Sequence, residues 1–158
     1  MTPQQSMRTD DAHIHHDTAT VNGVELHYAY AGGGPLIVFL HGFPQFHYAF
    51  RAQLAEFGSD HLAVAPDQRG YNLSSKPDGV HSYGVWPAVE DLRCLVEHLG
   101  YEKFVLVGHD WGSLVAWSFA LHYPQRLHAL VSLGGAIPST SYQCRADSIA
   151  RGTCHASR

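Results

Sequence analysis

The stretch FVLVGHDWGSLVAW, residues 104–117, decides how the rest of the chain is read. Phe104–Val107 is a continuous apolar run, the pattern of a strand covered on both faces. Leu114–Leu121 is apolar nearly all round, the mark of a helix buried inside a protein, and Tyr123-Pro124 ends it. Gly108-His109-Asp110-Trp111-Gly112-Ser113 lies between the two, so strand meets helix through Gly-x-Asp-x-Gly. That is the pattern of a nucleophile elbow. Its central residue sits on a sharp, strained turn that lifts the side chain above the strand ends. The flanking glycines, Gly108 and Gly112, are needed because a Cβ there would block the close approach of strand and helix. The helix N-terminus adds N–H groups and positive dipole, which favour an anion at that spot.

Three further runs resemble Phe104–Val107: Leu36–Leu40, Leu62–Ala65 and Leu127–Leu133. Helical spacing separates them. Phe50, Leu54 and Phe57 keep it and stop at Gly58; Val85, Val89, Leu92, Val96 and Leu99 keep it with Pro87 in the first turn and Gly100 as cap. Upstream, Val24, Leu26, Tyr28 and Tyr30 alternate with polar or small residues, a half-buried strand, and Asn22-Gly23 is a hairpin turn through which 18–21 can pair back. Strands alternating with helices specify an α/β fold with a doubly wound, mostly parallel sheet. Residues 1–18 read as a disordered leader, 19–138 as the α/β core, and 139–158, without periodicity, as an irregular tail.

The 158 residues suffice for one domain. Charged residues are 15%, against about 25% in an average globular protein, in keeping with elements buried on several sides. A net charge of −4 marks no polyanion-binding surface, so nucleic acid is not an expected partner. No apolar run approaches the ~18 residues of a membrane span, and the polar start has no secretory h-region. Cys94, Cys144 and Cys154 form no CxxC motif, and Cys94 falls in an apolar helix phase, where a reduced core thiol is expected. These features lead us to expect a cytoplasmic protein without a membrane partner.

An Asp at the centre of the bend is a poor attacker of amides but a workable nucleophile at saturated carbon, giving an alkyl-enzyme ester that water must then hydrolyse. Epoxides or alkyl halides are the substrates this chemistry indicates. Directly after Leu36–Leu40, the turn His41-Gly42-Phe43-Pro44 can aim a backbone N–H at the oxyanion formed during ester hydrolysis, with the residue after Asp110 supplying the other. Phe43 and Trp111 are therefore the expected oxyanion donors, through their N–H groups. His41, Gly42 and His109 read as turn-orienting residues. Asp67 and Arg69, in Asp67-Gln68-Arg69-Gly70-Tyr71, read as structural, through an ion pair or loop hydrogen bonds.

HGFPQFHYAFR at 41–51, APDQRGYNLSSKP at 65–77 and LVGHDWGSLVAW at 106–117 resemble, in order, the signature blocks of the α/β-hydrolase superfamily and within it the epoxide hydrolases. The likeness runs from about Val21 to Gly135. It implies Asp110 as nucleophile, His41–Pro44 as part of the oxyanion hole, Trp111, Phe43 and Pro44 against a small-molecule substrate, and no cofactor. Haloalkane dehalogenases share Asp-Trp at the bend but carry a polar residue where this chain has Phe43. Fluoroacetate dehalogenases carry Arg where this chain has Trp111.

In this fold an acid and then a His follow the nucleophile, and a βαβ unit takes about 30 residues. After the run ending at Leu133 the chain is too short for a lid and the last catalytic strands. The expectation is an incomplete, truncated core that forms the ester but is impaired in turnover. The alternatives are a haloalkane dehalogenase-like hydrolase and a non-catalytic fold fragment that self-associates through its exposed sheet edge. His13-x-His15-His16 is too loose a tract for a preorganised metal site, so no metal is expected.

Overall fold

The strands form where the apolar runs fall. The computed structural model describes residues 13–134. Its sheet has six strands: β1 (His15–Val21), β2 (Val24–Gly32), β3 (Leu36–Leu40), β4 (Leu62–Pro66), β5 (Phe104–His109) and β6 (Leu127–Leu133), in the order β1-β2-β4-β3-β5-β6. β2 runs antiparallel to β1 and to β4, while the β4–β3, β3–β5 and β5–β6 pairs are parallel. Three helices connect them: α1 (Arg51–Phe57), α2 (Val85–His98) and α3 (Trp111–His122).

Alternate residues of the central strands feed two cores, which is why their runs are apolar without a break. Leu36, Val38, Leu40, Val64, Phe104 and Leu106 pack with Val89, Leu92 and Leu95 of α2 and Val115, Ala116 and Phe119 of α3. Ile37, Phe39, Ala63, Ala65 and Val107 pack on the opposite face with Phe50 and with Leu54 of α1. Each fully buried large side chain contributes about 1.5–3 kcal/mol. Phe104 and Phe119, both 0% exposed, meet edge to face with ring centroids 5.4 Å apart.

The hairpin turn has positive φ at both Asn22 (48°) and Gly23 (75°), the geometry that suits a two-residue loop between twisted strands. Its strand is longer than expected: β1 begins at His15, so residues 15–18, read as leader, belong to the sheet. The rest of the leader and the tail at 139–158 lie outside the described residues.

Two other expectations need correcting. Cys94 is buried and disulfide-bonded rather than a reduced thiol. α3 buries Val115, Ala116 and Phe119 and half-buries Leu114, Trp117 and Ala120, but Leu121 is 43% exposed, so among the described residues the helix is not buried all round. Asp67 and Arg69 make the expected ion pair and loop hydrogen bonds, each with its own partners. Arg69 reaches α2, where Nε and one terminal nitrogen donate to Asp91 at 2.6 and 2.5 Å, and Asp67 takes its own partners. Burial pushes the Asp91 carboxyl above the ordinary range, against the pull of Arg69 and Asn22.

Candidate active site

The carboxyl ends of β3, β4 and β5 open toward one side of the sheet, where open α/β sheets place their ligands. Each strand delivers one segment: His41–Pro44 after β3, Asp67–Tyr71 after β4, and Asp110 between β5 and α3.

Asp110 has φ 53° and ψ −117°, a conformation few residues with a side chain adopt. The bend is held from below: the Asp110 N–H donates to the Leu133 carbonyl at 3.0 Å, and the Ser113 hydroxyl to the Gly108 carbonyl at 2.7 Å. Its crossing is as tight as the glycines foretold. A Cβ on Gly108 would lie 2.5 Å from the Gly112 carbonyl oxygen, and one on Gly112 would collide with the Leu40 carbonyl. The Asp110 carboxylate is thereby turned out, exposed, toward the first turn of residues after β3. There the Phe43 N–H donates to its Oδ1 at 2.9 Å, and the Trp111 N–H is a second donor. These two backbone hydrogen bonds hold the carboxyl below its ordinary pKa.

His41 is fully buried and orients the turn. Its Nδ1 lies 3.0 Å from the Gly42 carbonyl, its Nε2 accepts from the Gln68 N–H at 3.0 Å, and the Gln68 amide donates back to its carbonyl. Burial lowers its pKa, so the ring is neutral. His109 Nδ1 lies 3.1 Å from the Gln45 side-chain oxygen. Gly42 lies against the carboxylate: a Cβ there would be 2.5 Å from Asp110 Cβ and 2.6 Å from its Oδ1.

Beside the carboxylate is an open cleft of about 440 Å³, lined among others by Phe43, Trp111, Tyr71, Tyr83, Val85 and Val115. Phe43 and Trp111 are 67% and 54% exposed, their side chains standing at its rim. Pro44, also expected against substrate, is exposed but is not part of the lining. The two tyrosines were not singled out from the sequence. Tyr71 is edge-on to the His41 ring, and burial together with the Asp110 charge raises its pKa, so its hydroxyl keeps its proton. The signal available for it was position, since it follows the carboxyl end of β4.

The family model described as alpha/beta hydrolase fold matches residues 35–150. The chain belongs to the α/β-hydrolase family. Within it the chain is epoxide hydrolase-like. It is 48% identical over 110 residues to epoxide hydrolase 1 of Caenorhabditis elegans, covering 68% of this chain and 27% of that protein. It is 45% identical over 121 residues to epoxide hydrolase 3 of Siraitia grosvenorii, covering 76% and 38%. Among solved structures, an epoxide hydrolase from Vigna radiata superposes with a TM-score of 0.78 at 39% identity, covering 80% of this chain and 40% of that one. A mutant epoxide hydrolase from Bacillus megaterium, complexed with a naphthyloxy-propanediol product, superposes at 0.76 with 45% identity, covering 83% and 46%. The chain thus spans less than half the length of these relatives, and the family match ends inside the stretch read as a tail. Among the described residues no helix is long and apolar enough to cross a membrane.

Proposed function

We propose that Asp110 opens an epoxide ring to form a covalent ester. One carboxylate oxygen attacks an epoxide carbon, the C–O bond of the strained ring breaks, and the released alkoxide takes up a proton. In the second half, water adds to the Asp110 carboxyl carbon. The oxygen that becomes an oxyanion there is stabilised by the N–H groups of Phe43 and Trp111, donors already aimed at the carboxylate in the resting site. Diol then leaves and the carboxylate is restored. Phe43, Trp111 and Tyr71 offer the apolar and aromatic surface that a small epoxide with an aryl or alkyl substituent would fill.

The observation that carries this reading is the Phe43 N–H at 2.9 Å from Asp110 Oδ1, on an exposed carboxylate whose two N–H donors, Phe43 and Trp111, both line the cleft. The epoxide hydrolase relatives support the substrate class, and the product held by the Bacillus megaterium relative is a diol of the kind that epoxide hydration yields. Ester hydrolysis is the slower half. The two histidines flanking the site are both engaged in the turn, His41 with Gln68 and Gly42, and His109 with Gln45, so neither is set to draw a proton from the attacking water.

The test is intact mass after incubation with an aryl glycidyl ether. The expected result is a single adduct of the epoxide's mass that persists after the reagent is removed and is missing from Asp110→Asn. Absence of an adduct from the wild-type chain, or an equal adduct on Asp110→Asn, overturns the proposal.

A further inference from the structure

Ring opening at Asp110 leaves an alkoxide in the cleft, and an acid positioned to protonate that oxygen as its C–O bond breaks lowers the barrier. Among the residues that line the cleft, three carry a titratable proton: Arg69, Tyr71 and Tyr83. Two of them are engaged. The Arg69 guanidinium, an acid too weak to release its proton, is held by Asp91 and donates to the Ser82 carbonyl at 2.9 Å. The Tyr83 hydroxyl donates to the Pro77 carbonyl at 2.7 Å. Tyr71 is the exception. Among the described residues its hydroxyl has no hydrogen-bond partner, so its proton is uncommitted.

The rest of Tyr71 is well held. Its N–H donates to the Gln68 carbonyl at 3.0 Å, and its own carbonyl accepts from the Ser74 N–H at 3.0 Å. The ring stands edge-on to the fully buried His41 ring, with centroids 4.9 Å apart. His41 also begins the turn that presents the Phe43 N–H, so one imidazole shapes both the donor turn and the seat of the phenol. The Asp110 charge is felt at this hydroxyl, where it adds to burial in keeping the phenol protonated. Ester formation neutralises that carboxylate, and the phenol then gives up its proton more readily, just as negative charge gathers on the departing oxygen.

We infer that Tyr71 is the general acid of ring opening. As an Asp110 carboxylate oxygen bonds to the epoxide carbon and the ring C–O bond breaks, the Tyr71 O–H proton passes to the released oxygen. The products are a hydroxyalkyl ester and a phenolate, which takes a proton back from solvent water. The assignment rests on the proposed nucleophilic role of Asp110 and sharpens its substrate class. A free phenol in the cleft favours epoxides over alkyl halides, because a halide leaves as a stable anion and draws nothing from an acid.

Two reagents with the same aryl group separate these roles on the full chain: an aryl glycidyl ether, whose leaving oxygen needs a proton, and an aryloxyethyl bromide, whose leaving group does not. Quenched intact-mass measurements give the rate of each alkylation, and fragment sequencing shows that it falls on Asp110. Tyr71→Phe keeps the ring against His41 and removes a hydroxyl that makes no hydrogen bond, so the fold is expected to be retained, as circular dichroism can show. The expected result is epoxide alkylation slowed by about 10²–10⁴-fold, with the bromide rate unchanged. Equal slowing with both reagents marks a packing role and overturns the inference, as does an unchanged epoxide rate. A wild-type chain alkylated at Asp110 by the bromide but not by the epoxide also overturns it, while leaving the nucleophile in place. If neither reagent modifies Asp110 in the wild-type chain, the nucleophile reading itself fails and this inference falls with it.

Discussion

At φ 53° and ψ −117°, Asp110 occupies backbone space that a residue with a Cβ enters at about 1–3 kcal/mol, whereas glycine enters it freely. Comparing Asp110→Gly with Asp110→Ala isolates this strain. Both variants lose the carboxylate and its hydrogen bonds from Phe43 and Trp111, so those contributions cancel between them. What remains is strain relieved in the glycine variant, reduced by the roughly 0.5–1 kcal/mol of extra unfolded-state freedom that glycine brings. The glycine variant is therefore expected to be more stable than the alanine variant by about 1 kcal/mol, with a range of about 0.5–2, the reverse of the usual order inside an element. Urea unfolding reads the difference. At a slope of about 2 kcal/mol per molar, the midpoints separate by roughly 0.5 M with the slope unchanged. An alanine variant as stable as the glycine variant, or more so, would refute the claim that the bend holds Asp110 in a strained conformation.

Gly42→Ala places its Cβ against Asp110 and is expected to cost about 1–3 kcal/mol, most of it recovered when combined with Asp110→Gly, which removes the obstructing side chain; additive losses in a double-mutant cycle would count against this packing. Arg69→Met strands the buried Asp91 carboxylate at about 3–5 kcal/mol, and adding Asp91→Leu restores much of the loss. Because the folded Asp91 pKa is raised, and rises further without Arg69, the native state binds the extra proton. The single variant's deficit therefore grows as pH rises from the unfolded carboxyl value of about 3.9, and denaturation at several pH values shows it. For Asp110 the shift is opposite, so its carboxylate survives below the ordinary carboxyl range. Adduct formation is expected to stay level from about pH 8 to about pH 5 and to fall only below that, and an inflection near neutrality in quenched mass measurements would contradict this assignment.

Local patterns made the sheet legible. Phe104–Val107 and Leu36–Leu40 are apolar at every position because their residues alternate between two cores, and that double coverage is written in the run itself. The bend at Asp110 was equally readable, since Gly108 and Gly112 are each dictated by one close backbone approach. What escaped depends on contacts between distant segments. Nothing near Arg69 announces that its partner is Asp91 on α2, and an apolar helix pattern cannot say which neighbours cover Leu121. Nor could the hydrogen bond between His16 and His27 be found without the β1–β2 register, which sets Ala29 opposite His16 and Thr18 opposite His27 and so puts both histidines on one face. Spacing along the chain showed only a His-rich start.

On the proposed chemistry, one carboxylate, set apart by its bend and its two N–H donors, reacts covalently with an electrophilic carbon. Proteolysis of the epoxide-treated chain, followed by fragment sequencing in the mass spectrometer, locates the modified residue. The expected product carries the alkyl group as an ester on Asp110, with exposed carboxylates such as Asp60 and Glu56 unmodified under the same treatment. Alkylation spread over exposed carboxylates and histidines, with Asp110 spared, would contradict it.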